Sequence, residues 1–166
     1  MPIDAQRSLR HMAWANQRLF AAVAELPDEA LTSYLVDPDF DVATILHHIV
    51  DGSEWFAFCA GGHPWSHREK PQTAADVRAL AQKLAELDAL VITEGQREDV
   101  TLTISHEDGD FEAKLSTVIA QAPHHATEHR AQLVAALEVR GFRPVNLDDL
   151  DLWSFERYEE GRPRRS

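Results

Sequence analysis

The chain of 166 residues contains a single cysteine, Cys59, so no disulfide can form within it. Such a sequence suits a reducing compartment. The thiol lies in the apolar run WFAFCA (55–60), where a buried, inert side chain is expected rather than a nucleophile. Apolar runs are short throughout. None approaches the ~20 residues that a membrane-spanning helix requires, and the opening MPIDAQRSLR lacks the apolar stretch of a secretion signal. Positive charge is scarce as well: 16 Lys and Arg stand against 28 Asp and Glu, a net charge of −12 with histidine neutral. That balance attracts neither nucleic acid nor an anionic membrane surface. The one basic cluster, RPRR at 162–165, reads as part of a short disordered tail over 161–166. These absences leave a cytoplasmic protein with one domain over 1–160, free of internal repeats, whose partner is a small molecule rather than a nucleic acid or a membrane.

What the sequence does have is helical periodicity. Leu9, Met12, Asn16, Leu19, Phe20 and Val23 recur at spacings of three and four, which predicts a first helix from about Asp4 to Ala24 with one polar residue, Asn16, in its apolar stripe. ELPDEAL (25–31) reads as a turn or short helix. The second helix opens at Asp41, a suitable N-cap, with Phe40 and Ile45 spaced as a hydrophobic staple, and continues through VATILHHIVDGSEWFAF. Glycines and prolines mark 60–72 as a loop. Thr73 and Asp76 then form an approximate capping box for a third helix, whose stripe is Val77, Leu80, Ala81, Leu84, Leu87 and Val91.

Residues 99–115 change period. Val100, Leu102 and Ile104 alternate, DGD turns the chain, and Phe111 and Ala113 follow, which predicts a β-hairpin. A fourth helix from about Leu115 to Arg140 should kink at Pro123 and stop at Gly141. The remaining segment is expected to wrap back over the bundle through Leu152, Trp153 and Phe155. The fold class is therefore all-α, a four-helix bundle with a small β-hairpin between helices 3 and 4.

Bundles often hold metals or cofactors between facing helices, so the inward polar positions matter. Histidines fall at 11, 47, 48, 63, 67, 106, 124, 125 and 129. His63, His67 and His106 lie in predicted loops or a turn, and His11 shares a face with arginines; solvation is the expectation for all four. His125 and His129, four apart, share one face of helix 4 with Val118, Ala122, Gln132, Leu133 and Ala136, a mostly apolar set. His124 is rotated from that face by about 100°. On helix 2, His47 sits with Val50, Asp51 and Glu54, whereas His48 sits with Thr44, Ile45, Gly52 and Trp55. Gly52 leaves room for close approach, so His48 is the better inward candidate. A lone inward histidine is usually a hydrogen-bonded core residue. Two at i and i+4 can reach one ion at ~2.0–2.1 Å, and a third across the bundle supplies the usual minimum for a catalytic centre with an open position.

These residues, together with MAWANQRLF (12–20), LPDEAL (26–31), ILHHIVDGSEWF (45–56) and HHATEHRAQLVAALEVRGFRP (124–144), resemble the DinB/YfiT-like family of metal-dependent enzymes over most of the chain. The final-helix motif of that family, a histidine, three residues and His-Arg-Gly-Gln, corresponds to His125, ATE and HRAQ (129–132), with Ala131 in the glycine position. The family's helix-2 ligand precedes an isoleucine, which again selects His48. The resemblance implies a divalent metal on His48, His125 and His129, nickel or zinc first and manganese or iron next, in a homodimer. It further implies S-transfer or isomerisation of a small electrophile with a low-molecular-weight thiol such as mycothiol, bacillithiol or glutathione.

HATEH (125–129) also matches the His-x-x-Glu-His pattern of inverted zinc proteases. A small bundle offers no extended peptide cleft, so a protease is discounted. Glu128 stays a candidate as hydrogen-bond partner of a ligand histidine or as base of a metal-dependent hydrolase. Asn16 could orient water or substrate, or else make an interhelical hydrogen bond. Trp55 is expected as packing or pocket wall, and Arg130 as a structural ion pair or a contact to an anionic substrate. Trp14 should pack under the C-terminal segment or at a dimer interface. The competing class is a non-enzymatic bundle that binds a metal or small molecule; a relict, metal-free bundle acting through protein contacts is a third.

Overall fold

The computed structural model describes residues 5–162, so the tail expected at 161–166 lies outside the described residues from position 163 onward. Four long helices form the frame: α1 (Gln6–Val23), α2 (Val42–Gly61), α3 (Ala74–Glu94) and α4 (Leu115–Glu138), with a short α5 (Leu152–Glu159) at the end. Strands β1 (Thr101–Ile104) and β2 (Phe111–Lys114) stand between α3 and α4, and 3₁₀ turns occupy Asp28–Thr32 and Leu147–Leu150. Helix α1 packs on α3, and α2 packs on both α3 and α4.

The boundaries follow from local chemistry. The Asp41 carboxylate accepts from the Thr44 N–H at 2.8 Å and caps α2. Thr73 and Asp76 cap α3 reciprocally, side chain to backbone in both directions. Gly62, at φ 68°, lets α2 end in the left-handed region. In the hairpin, antiparallel pairing sets Leu102 opposite Ala113. The hairpin passes directly into α4, with the Leu115 N–H donating to the Val100 carbonyl at 2.9 Å.

The core is assembled from Leu9, Met12, Leu19 and Phe20 of α1, Ile45, Leu46 and Ile49 of α2, Leu84 of α3, and Leu133 and Leu137 of α4, all fully buried. Through this apolar interior runs one polar network that touches all four long helices. Asp88 of α3 accepts from Asn16 Nδ2 of α1 at 3.0 Å and from Ser53 Oγ of α2 at 2.8 Å. Arg130 of α4 donates to Asn16 Oδ1 at 2.7 Å and to Thr127 Oγ1 at 3.0 Å. Burial pushes the Asp88 carboxyl up to about 6, against the hydrogen bonds and the Arg130 charge that favour its ionised form. Burial also lowers Arg130 to about 10, with the Asp88 charge opposing. The Asn16 amide bridges the two groups, donating to Asp88 and accepting from Arg130.

The C-terminal segment does return over the bundle, through different residues from those expected. Leu150 and Phe155 are buried, whereas Leu152 and Trp153 are 49% and 71% exposed. Trp14 packs beneath this segment, 5.4 Å from the Phe155 ring and 5.7 Å from Tyr158. His11 is tied down by it rather than solvated: its Nε2 donates to the Leu150 carbonyl at 2.7 Å. Helix α4 runs through Pro123, and Thr127 Oγ1 donates to the Pro123 carbonyl at 2.7 Å.

Removing one partner of a buried charge pair strands the other. Asp88→Ala is accordingly expected to destabilise the fold by about 3–5 kcal/mol in urea unfolding. Arg7→Ala, which deletes surface pairs with Glu156 and Glu159, should cost about 1 kcal/mol or less in the same measurement.

Candidate metal centre

Where α2 crosses α4, three imidazoles converge. The ring centroids of His48 and His125 are 4.9 Å apart, those of His48 and His129 4.4 Å, and those of His125 and His129 4.4 Å. One nitrogen from each ring lies within 4.8 Å of the others. His48 Nε2 and His125 Nε2 are 3.2 Å apart. Two nitrogens bound tetrahedrally at ~2.0–2.1 Å would be separated by about 3.4 Å, so the observed spacing fits a shared ion.

Each ring is held from outside the cluster. A Cβ built on Gly52 would lie 2.2 Å from His125 Cε1, so the imidazole occupies the space that any larger residue at 52 would fill. The close approach read from the sequence at Gly52 is that of a histidine ring. Gln132 Oε1 accepts from His129 Nδ1 at 2.7 Å, which puts the proton on Nδ1 and leaves Nε2 as the free lone pair. Phe40 sets its ring 6.0 Å from both His48 and His129, and Phe56 stands edge-on to His125 at 5.5 Å. The three histidines are half-buried, so the cluster is reached from solvent.

The electrostatics favour lone-pair donors. Burial, followed by the neighbouring His129 and His48 charges, pushes His125 from 6.5 down to about 4. Burial and the His129 charge also lower His48. Neutral imidazoles are the form that binds a metal.

Other residues singled out in the sequence lie elsewhere. His47 turns to the loop, with Nε2 2.9 Å from the Arg68 carbonyl and Nδ1 3.1 Å from Asp51. His124 and Glu128 are exposed and outside the cluster. Asn16 is fully buried with both ends of its amide engaged, the interhelical alternative, and Arg130 is its partner. Trp55 meets the loop and hairpin aromatics Trp65 and His106 rather than the three rings. Ala131 is exposed, so the methyl that replaces the family's glycine hydrogen crowds no core contact. Burial pushes the Cys59 thiol up to about 11, which leaves it unreactive. Gln132, Phe40 and Phe56 were missed as supports; Gln132 alone carried a sequence signal, three positions after His129 on the same face.

Taken together, the fold and the cluster define a helical bundle with three histidines, close enough that they could hold a metal ion, between two of its helices. The chain belongs to the DinB family, whose sequence model matches residues 1–161. No curated protein and no solved structure matches it.

Two substitutions test the supports. Gly52→Ala should displace the His125 ring and weaken metal binding by at least about tenfold in calorimetry, with helix content retained in circular dichroism. Gln132→Leu should weaken it about 10–100-fold by freeing the His129 tautomer. A third test uses pH. His125 titrates near 6.5 when unfolded and at about 4 when folded, so below 6.5 the unfolded chain binds more protons. In chelator, the parent chain should lose Tm relative to His125→Gln as pH drops from 6.5 toward 4, since the opposing gain from Asp88, raised to about 6 by burial, is common to both.

Proposed function

We propose that this protein is a divalent-metal-dependent enzyme whose centre is held by His48, His125 and His129, and which uses a low-molecular-weight thiol to transfer to, or isomerise, a small electrophile. The observation that carries this reading is the convergence of three imidazole donors, with no carboxylate among them, at a place open to solvent. Imidazole donors suit zinc and nickel, with manganese and iron as weaker matches. A bound ion would supply Lewis acidity, lowering the pKa of water or a thiol.

The chain's own residues supply position. His48 comes from α2 and His125 and His129 from α4, so the donor set sits on packed helices rather than on loops. Gln132 keeps the His129 proton on Nδ1, and Gly52 seats the His125 ring. Phe40 and Phe56 line the cluster with apolar edges that limit water on their side. The reading includes a homodimer in the cytoplasm, on the strength of the family resemblance and the lone buried thiol. No described helix is long and apolar enough to cross a membrane.

Metal analysis tests this first. Protein loaded with nickel, zinc, manganese or iron(II) should retain an equimolar ion, and His48→Ala, His125→Ala and His129→Ala should each lose it. Retention of no ion by the intact chain would end the enzyme reading. Equal retention in the three variants would end the ligand assignment. The loaded protein should then turn over electrophiles with glutathione, mycothiol or bacillithiol. An ion with saturated coordination and no turnover would identify a binding or storage bundle instead.

A further inference from the structure

A concave feature outside the histidine cluster lies at the C-terminal end of α2, where the loop and the hairpin tip meet. It is a cleft of about 410 Å³ lined by Trp55, Phe58, Trp65, Ser105, His106 and Glu107, with none of the three clustered histidines in its wall. Trp55 is its floor. Trp65 stands across that ring at 68° with centroids 6.1 Å apart, and His106 at 87° and 5.5 Å. Phe111 lies nearly parallel to Trp55 at 6.5 Å, and Phe58 at 5.7 Å.

Two features set this cleft apart from ordinary packing. Trp65 and Phe111 remain 51% and 43% exposed, an unusual position for large apolar rings. Trp65 is also held in place although it lies in a loop. The next residue, Ser66, donates from its backbone N–H at 3.1 Å and its hydroxyl at 2.9 Å to the buried Glu54 carboxylate, which also pairs with Arg68. On the other side, the hairpin turn closes with the Gly109 N–H donating to the His106 carbonyl at 2.9 Å, which sets His106 against Trp55.

The charge is one-sided. The lining contains one carboxylate, Glu107, and no lysine or arginine. Asp108, Asp110 and Glu112 follow along the same hairpin before Lys114 closes it, and the Asp108 N–H donates to His106 Nδ1 at 3.4 Å. Aromatic faces carry negative quadrupole charge, and a wall of rings beside carboxylates attracts a soft cation that loses little hydration on entry. A metal cation would find only one carboxylate here, whereas an alkylated ammonium is matched by rings and acid together. We infer that this cleft binds a small organic cation with a methylated ammonium head, seated on Trp55 between Trp65 and His106 with Glu107 at its rim.

The site is independent of the histidine centre, and the test keeps the two apart. In ¹⁵N-labelled protein, the indole N–H signals of Trp55 and Trp65 should shift saturably with choline. They should respond far less to 3,3-dimethylbutan-1-ol, which has the same shape with carbon in place of the charged nitrogen. Trp65→Ala should weaken choline binding about threefold to fivefold, the loss of a half-exposed cation–π contact. Glu107→Gln, an exposed change, should weaken it about threefold through lost attraction. His48→Ala should bind choline as the intact protein does. Equal binding of the neutral alcohol would reduce the cleft to an apolar hollow and overturn the inference. So would an absence of saturable shifts, full affinity in Trp65→Ala, or loss of binding in His48→Ala.

Discussion

The buried hydrogen-bond network that joins Asp88 to Arg130 through the Asn16 amide is the constraint on which the rest of the structure depends. A hydrophobic stripe tolerates rotation and sliding of one helix against another, because apolar contacts are non-directional. Hydrogen bonds at 2.7–3.0 Å do not. Since Asn16, Ser53, Asp88 and Arg130 come one from each long helix, satisfying them together fixes the rotation and axial position of all four. Arg130 directly follows His129, so whatever holds the arginine also aims α4's histidines at α2. The site is thus set by a network that has no place in it.

Much of the fold was written locally. Helix starts at Asp41 and Thr73 follow from side-chain capping, and the hairpin from alternation around DGD; neither requires knowledge of distant residues. The histidine cluster was legible for a related reason. The i, i+4 spacing puts His125 and His129 on one face by geometry alone, and Gly52 one turn beyond His48 marked the opposing surface as open.

What escaped the sequence was pairing across the bundle. Asp88 lies four residues after Leu84 and three before Val91, inside the apolar stripe of α3, and nothing local says that it meets Asn16 and Ser53. Asn16 had two readings because a buried amide looks the same in sequence whether its partner is a ligand or another helix; the partner decides, and it is Asp88. The return of the tail was legible, but its anchoring residues were not. Leu150, Leu152, Trp153 and Phe155 are all apolar, and the start of α5 at Leu152 sets which side each faces. His11 likewise looked solvated until the tail carbonyl of Leu150 arrived above it.

The Glu54 clamp has a kinetic consequence. A long loop with prolines beside a cleft invites the picture of a swinging door, yet here the segment is fastened to α2 through a desolvated carboxylate, by Ser66 and Arg68. Its tether is shielded from counter-ions, so ordinary salt would not unfasten it. A guest of the inferred cleft would then enter a standing vestibule at the pace of diffusion, and discrimination among guests would fall to how long each one lingers.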